Sequence, residues 1–477
     1  GSQDNGTSFS YEDGWIEFYG ADGMEAIIHP TNKNWMIGSI QYGARRKTTD
    51  RGQSQYGASP AGESGSGNAD WIAPLAYDPN NQFRVFHFSD EVWRSDDFGD
   101  TWFELGTPNT FTNDMLADKA EVAENNSEIM VVSRAEKIEK STDGGLSFED
   151  IKGTLPNNSI QDIAFDPKND ENLIVVYNTY QNNGNKVYMS YDGGTTWNNI
   201  TYNLGDMPVR SVVIDHSDAS NIYLGAEIGV YTMPIGGNAW SLYNPALPNV
   251  AVSELEICWG SNTLRASTWG RGLWEYSLKD RVDYPAILTT EMTNAPTLAL
   301  PMEGVDQYVT SNIDYTGSLS SVYLEWSENV PTFGNVISMS NTTGSDWVSD
   351  LPLPNPTEGT RLFFKVYAVG SSGDTTETYK FQYVVRNNPF IGLEELEASN
   401  VLLYPNPNTG AFTINLEETQ DILDVTVISM DGRIVYQQTH KNKQSIDLNL
   451  NLPNGNYAVV LSSQKINGSY PLVIQRD

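Results

Sequence analysis

Cysteine is almost missing from this chain. Cys258 stands alone among 477 residues, so no internal disulfide can form, and the compartment is left open by that count. Histidine occurs four times, which disfavours nucleophilic catalysis through a histidine base. No run approaches 18 apolar residues, so nothing in the sequence spans a bilayer, and no basic-then-apolar signal peptide opens it. Positive charge is scarce too. Against 61 Asp and Glu there are 28 Lys and Arg, a net charge of −33. Such a surface disfavours nucleic acid and anionic membranes as partners and remains compatible with cations and neutral glycans. A His-x-Glu zinc motif, a Gly-x-Ser-x-Gly elbow and a P-loop are all absent. No cofactor is implied. Aspartate-rich loops leave Ca²⁺ binding open, although they lack regular EF-hand spacing.

What the chain has in quantity is glycine (40), proline (23) and aromatics (11%), with 39% hydrophobic residues. That composition describes a turn-rich β protein with an ample core, and the length suggests about three domains. One eight-residue pattern recurs: Ser/Thr-x-Asp-x-Gly-x-Ser/Thr-aromatic. It is complete at Ser95–Trp102, Ser141–Phe148 and Ser190–Trp197, and at Thr48–Ser54 it lacks the closing aromatic, Gln55 standing there instead. The aspartates Asp50, Asp97, Asp143 and Asp192 lie 47, 46 and 49 residues apart, a period that signals a repeat architecture. The chemistry explains the pattern. An aspartate accepts hydrogen bonds from amides of its own turn, and glycine supplies a positive φ. The closing Trp102, Phe148 or Trp197 folds back as a plug under the hairpin.

The pattern resembles the Asp-box (BNR) repeat of sialidases, sortilin-type receptors and xyloglucanase-type glycosidases. That resemblance implies a β-propeller over residues 1–280, with structural rather than catalytic boxes, since fold and function are separable. Gly1–Thr7 is similar to the Gly-x-Gln-Asp-Asn-Gly-Thr found inside blades of such propellers. The expectation is therefore that the chain begins part-way through a blade of a larger propeller region, completed by sequence or strands outside it. Six units follow, each of about four short strands, opening on runs such as Leu75–Pro79 and Ile163–Pro167. The sixth ends on Ser267–Tyr276 without a box, similar to the terminal blade of sortilin-like propellers.

Because strands alternate in direction, the boxes share a face with the Asp-Pro turns. The opposite face carries the second-to-third-strand loops and the links between blades, which is where binding loops on a rigid scaffold belong. Asp4, Asp22, Tyr42, Asp70, Trp71, Arg210, Glu227, Trp269 and Arg271 fall there, a mixture of carboxylates, arginines and aromatics that suits a carbohydrate site. A sialidase is disfavoured, since the Phe/Tyr-Arg-Ile-Pro motif is missing and Arg210 sits in Pro208-Val209-Arg210-Ser211. If the chain is catalytic, two carboxylates flanking a glycosidic bond are the remaining chemistry. Asp22, between glycines that allow a ligand close, is then the candidate. Three readings compete: a non-catalytic binder of glycans or surface proteins, a xyloglucanase-type glycoside hydrolase, and a structural part of a surface assembly.

The repeat stops near 280. Prolines mark a linker over 281–301, and residues 302–386 alternate in short runs like an immunoglobulin or fibronectin type III sandwich. No chemical constellation stands out in that segment, so it reads as a spacer. A second linker, 387–398, precedes Leu403-Tyr404-Pro405-Asn406-Pro407-Asn408-Thr409-Gly410-Ala411-Phe412. Asp431-Gly432 and Asn454-Gly455-Asn456-Tyr457 follow. The prolines forbid helix, and Asp431-Gly432 makes a hairpin turn, so the residues by themselves indicate a small β-sandwich. Residues 399–477 closely resemble the type A C-terminal sorting domain of proteins exported by the type IX secretion system of Bacteroidetes. By that resemblance Tyr404, Pro405, Asn406, Pro407, Gly410, Phe412, Asp431, Gly432, Gly455 and Tyr457 carry the sorting signal. The partners it implies are an outer-membrane shuttle, the translocon and a sortase, and the expected place is the cell surface or the medium. The Arg476-Asp477 ending departs from the family's usual tail.

Overall fold

The computed structural model describes residues 1–11, 14–65, 68–108, 116–180, 184–217, 220–292, 306–354, 357–385, 401–406, 408–429, 434–462 and 467–476. It is all-β. Among these residues the one helical turn is a 3-10 turn at Tyr202–Leu204. The hairpin Thr7–Tyr11/Gly14–Tyr19 comes first, followed by five four-stranded antiparallel sheets and a three-stranded sixth. The six sheets are the blades of a propeller. Their first strands, Gly23–Ile28, Leu75–Asp78, Lys119–Val122, Asp162–Asp166, Val209–Ile214 and Val252–Cys258, succeed one another around the axis.

The core lies between the blades. Val122, Met130 and Val132 of the third pack on Phe86 and Phe88 of the second. Ile174, Val176 and Met189 of the fourth meet Val212, Ile222 and Leu224 of the fifth. Strands such as Val187–Ser190 and Asn221–Ala226 are buried at every position, because each blade is covered on both faces by its neighbours. The opening hairpin seats on the first blade. A Cβ added to Gly38 would lie 2.9 Å from the Phe18 ring, and one added to Gly52 equally near Phe9.

The chain divides into two compact units. Residues 1–291, 309–351 and 362–383 form one, and residues 292–308, 352–361 and 384–477 the other. In the first unit, strands beyond the propeller include Leu319–Glu328, which pairs with both Asn335–Thr343 and Arg361–Gly370. Segment 376–382 lies on the propeller's first-to-second-strand turns. Tyr77 donates to the Tyr379 hydroxyl (2.8 Å), which itself donates to Glu124 (3.1 Å). The Lys380 ammonium reaches Asn80 (2.7 Å) and Glu124 (3.1 Å), and Gln382 accepts from the Gln82 amide (2.8 Å). At the sixth blade Asn262 donates to Thr376 (2.6 Å), while the Trp259 ring meets Tyr379 edge-on at 5.2 Å. Turns of the second, third and sixth blades thus converge on one segment.

The second unit contains a five-stranded sheet in which Ala411–Ser429 pairs with Val401–Tyr404, Ile434–Asn449 and Gly455–Ser462. Its core is Phe412, Ile414, Leu423, Val425, Val459, Leu461 and Leu472. The linker over 387–398, residues 293–301 of that over 281–301, and Pro407, Asp431 and Gly432 lie outside the described residues, while the earlier part of the 281–301 stretch contains strand Ala286–Met292.

Candidate functional site

The boxes are closed hydrogen-bonded turns. One Asp97 carboxylate oxygen accepts from Ser95 Oγ (2.7 Å) and the amides of Asp100 (2.9 Å) and Thr101 (2.8 Å), and the other from Thr101 Oγ1 (2.5 Å). Asp50, Asp143 and Asp192 repeat this with Thr48/Ser54, Ser141/Ser147 and Ser190/Thr196. At Asp143 and Asp192 the bonds from Ser147 and Thr196 hold the carboxyl below its ordinary range. At Asp50 and Asp97 burial acts in the opposite sense and is outweighed by the bonds from Ser54 and Thr101. Phe148 and Trp197 are buried, and Trp102 is half-buried. The Trp102 indole N–H donates to Ala58 O (3.1 Å) and that of Trp197 to Ile151 O (2.8 Å). In the fifth blade the stretch Thr232–Trp240 stands where a box would be without matching its pattern, and Trp240 does the same to Ile200 O (2.8 Å). Each box tryptophan therefore ties its blade to the link that precedes it.

With segment 376–382 on the box side, the opposite face is the one the propeller presents. Trp71 and Tyr42 form an edge-to-face pair (5.2 Å) there, tied by the Tyr42 amide to Trp71 O (3.2 Å). Beside them Arg134 donates to Asp118 (2.8 Å) and lies 3.5 Å from Asp70. Burial pushes the Asp118 carboxyl up; the Ala135 amide and Arg134 oppose the rise, and the Asp70 carboxylate adds to it. Arg210 grips one Glu227 oxygen with two N–H groups (2.9 and 2.6 Å). Burial of Glu227 is outweighed by Arg210 and by the exposed Tyr180 hydroxyl, so its carboxyl is held low. Trp269 is 72% exposed, and the Arg271 amide closes its turn on Thr268 Oγ1 (3.2 Å). Asp22 accepts from the Asp4 amide (2.8 Å), which engages the carboxylate of the catalytic candidate in a contact between segments 18 residues apart. Asp118 and Tyr180 lie in stretches with no repeated pattern, and no sequence signal marks them.

Inside the ring the first strands carry Glu25, Lys119, Glu121, Asp162, Glu254 and Glu256. Burial raises the carboxyls of Glu121 and Asp162. Glu254 and Glu256 keep surface open to solvent but are crowded by the ring around them, and that desolvation, with the Glu25 charge at Glu254 and the Glu254 and Glu25 charges at Glu256, pushes each carboxyl up to about 7. Lys119 resists burial through Asp162, Glu25 and Glu254 and stays above its ordinary value. Among the described residues, Glu63, Asp90 and Glu91 bring three carboxylates within 4.8 Å of one another, the grouping best placed to take a cation. Among the described residues no helix is long and apolar enough to cross a membrane.

In the second unit, the motif around Tyr404 is stitched to the last strand, Asn467–Ile474. Asn406 accepts from the Val473 amide (2.8 Å), the Asn408 amide donates to Val473 O (2.9 Å), and Gln475 returns to Asn408 O (2.7 Å). Gly410, at φ 110°, has Leu450 O where a Cβ would stand (2.3 Å). Arg476 donates to Thr409 O (2.8 Å), Asn451 (2.7 Å) and Leu450 O (3.1 Å). Phe412 is buried, Tyr457 is buried with its hydroxyl on Pro453 O (3.0 Å), and Gly455 opens its strand. Pro405 follows the half-exposed Tyr404.

Comparison with known proteins adds two family matches. Residues 402–475 match the secretion system C-terminal sorting domain, and residues 90–224 match the sortilin (neurotensin receptor 3) family. No curated protein matches the chain. Among solved structures, an ancestral GH74 enzyme is 13% identical, with 99% of this chain and 81% of that one covered and a TM-score of 0.43. The GH74 xyloglucanase from Xanthomonas campestris is 10% identical over 95% and 92%, with a TM-score of 0.42. YCF48 from Cyanidioschyzon merolae is 11% identical over 60% and 92%, with a TM-score of 0.39. The chain thus joins a six-bladed propeller, of which residues 90–224 are similar to the sortilin family, to a C-terminal segment matching a sorting domain, which supports secretion or surface export by the type IX system.

Proposed function

We propose that this is an exported surface protein whose propeller binds neutral glycan on the face opposite the boxes, after delivery by its sorting domain. The observation that carries the reading is the pairing of exposed aromatics with fixed polar groups on that face. Trp71 and Tyr42 stand beside Asp70, Asp118 and Arg134, Tyr180 stands beside Arg210 and Glu227, and Trp269 projects into solvent. Sugar rings stack their C–H faces on such platforms, and carboxylate and guanidinium groups bond the hydroxyls. The acidic balance turns away anionic polysaccharide. Replacing Trp71 and Trp269 together by Ala should weaken binding of neutral oligosaccharides about tenfold or more without moving the melting temperature. Undiminished binding in that double variant, measured by calorimetry, would remove the reading.

A glycoside hydrolase is the second reading. It is favoured by Glu254 and Glu256, whose carboxyls near 7 lie in the range a general acid needs. Reducing-end release from plant and host polysaccharides tests it, with Glu256→Gln and Asp22→Asn compared against the unmodified chain. A chain that releases no reducing ends, or that loses nothing in either variant, is not a hydrolase of this design.

A further inference from the structure

A cleft lies on the strands that follow the propeller. The turn after strand Val309–Asp314 and the tip of the hairpin Asn335–Thr343/Asp346–Ser349 enclose an open cleft of about 260 Å³, lined by Asp314, Tyr315, Asn341, Ser345 and Trp347. We propose that this cleft binds a neutral saccharide unit, independently of the propeller face.

Four features converge on that class. The volume is below that of a drug-sized pocket and suits about one sugar ring. Two half-buried aromatics, Tyr315 and Trp347, supply the walls. A Cβ on Gly317 or on Gly370 would stand 2.7 Å from atoms of the tyrosine side chain, so glycine at both positions leaves room for that placement. The polar lining offers acceptors. The Asn341 amide nitrogen is committed to Gly344 O (2.9 Å) and Asp346 O (3.2 Å), which leaves its carbonyl oxygen for a donor, and the Asp314 carboxylate is exposed at the rim. Among the described residues no Lys or Arg lines the cleft, so an anionic sugar has no counter-charge. A ligand rich in hydroxyl donors with an apolar ring face answers all four.

The lining residues are distinct from those on the propeller turns, so the two sites separate by mutation. The test titrates the full chain, and the full chain carrying Trp71→Ala and Trp269→Ala, with cellohexaose, mannohexaose and laminarihexaose. Hexamers of galacturonate and glucosamine serve as charged controls. At least one neutral hexamer is expected to keep a saturable site in the Trp71/Trp269 variant, weakened about tenfold or more by Trp347→Ala. Asp314→Ala, at an exposed position that folding does not need, should weaken it several-fold if Trp347→Ala does not fold. Absence of neutral-hexamer binding in the Trp71/Trp269 variant, or binding unchanged by both cleft substitutions, overturns the proposal. Binding of the glucosamine hexamer alone also overturns it, since the acceptors would then be selecting an amine.

Discussion

A single box aspartate shows how much of this fold is decided locally. Asp97 satisfies two backbone amides and two hydroxyls within a few residues of itself, and the turn it closes needs left-handed backbone at Phe98 (φ 58°) and Gly99 (φ 91°). Where the third and fourth boxes place glycine at the first of those positions, this one has a phenylalanine, whose fully buried ring packs on His29 and Trp35 of the first blade. Asp97→Ala strands those donors and should cost about 1–3 kcal/mol in denaturant unfolding, with ligand binding unchanged. Because the folded carboxyl sits below its unfolded value, this stabilisation is complete above about pH 4 and is lost as pH falls further. A variant that loses binding at constant stability would give the aspartate a different role. The box is legible in the sequence because its bonding is confined to one short turn. Lys47, fully buried, shows the limit. It reaches across to Asp97 O (3.1 Å) and Asp100 (2.7 Å) of the next blade, a pairing that no local pattern announces.

At the scale of the blade, burial on both faces selects the runs of Val, Ile and Leu that mark the strands, so the six units can be counted along the chain from residue types alone. The first strands are different. Their axial side chains are set by the ring as a whole, and alternation in a four-residue strand such as Lys119–Val122 does not tell channel from core. That is why residue patterns pass over Glu121, Glu254 and Glu256, while Arg210 and Glu227, which meet at the same end of one strand pair, stand out as charges. The acidic first strands make a measurable prediction. A carboxyl raised above its unfolded value binds more protons in the fold, so stability declines as pH rises from about 4.5 through about 7, and levels off beyond. The melting temperature should therefore fall between about pH 5 and 7.5 at fixed ionic strength, and Glu254→Gln with Glu256→Gln should flatten that slope. A profile already flat in the unmodified chain would mean that water in the channel solvates these groups fully.

For the whole molecule, export has to be compatible with a cargo that is already folded. Blades joined by indole N–H bonds to the preceding link, and a segment hydrogen-bonded to three separate blades, cannot be threaded strand by strand without unmaking the ring. The address is accordingly carried elsewhere, on residues 402–475, where the Tyr404–Gly410 stretch and the final strand are hydrogen-bonded side by side. Arg476 clamps that arrangement through Thr409, Leu450 and Asn451. Removing residues 399–477 in a type IX-competent host should therefore leave a folded, ligand-binding propeller in the periplasm. Fusing them to a fluorescent protein with a signal peptide should carry it to the surface or the medium. Arg476→Ala within that fusion should lower the exported fraction several-fold, because Gly410 and the last strand lose their shared clamp. Normal export of the truncated chain would show that the address lies outside this domain, and full export of the Arg476→Ala fusion would show that the loop–strand arrangement holds without the arginine.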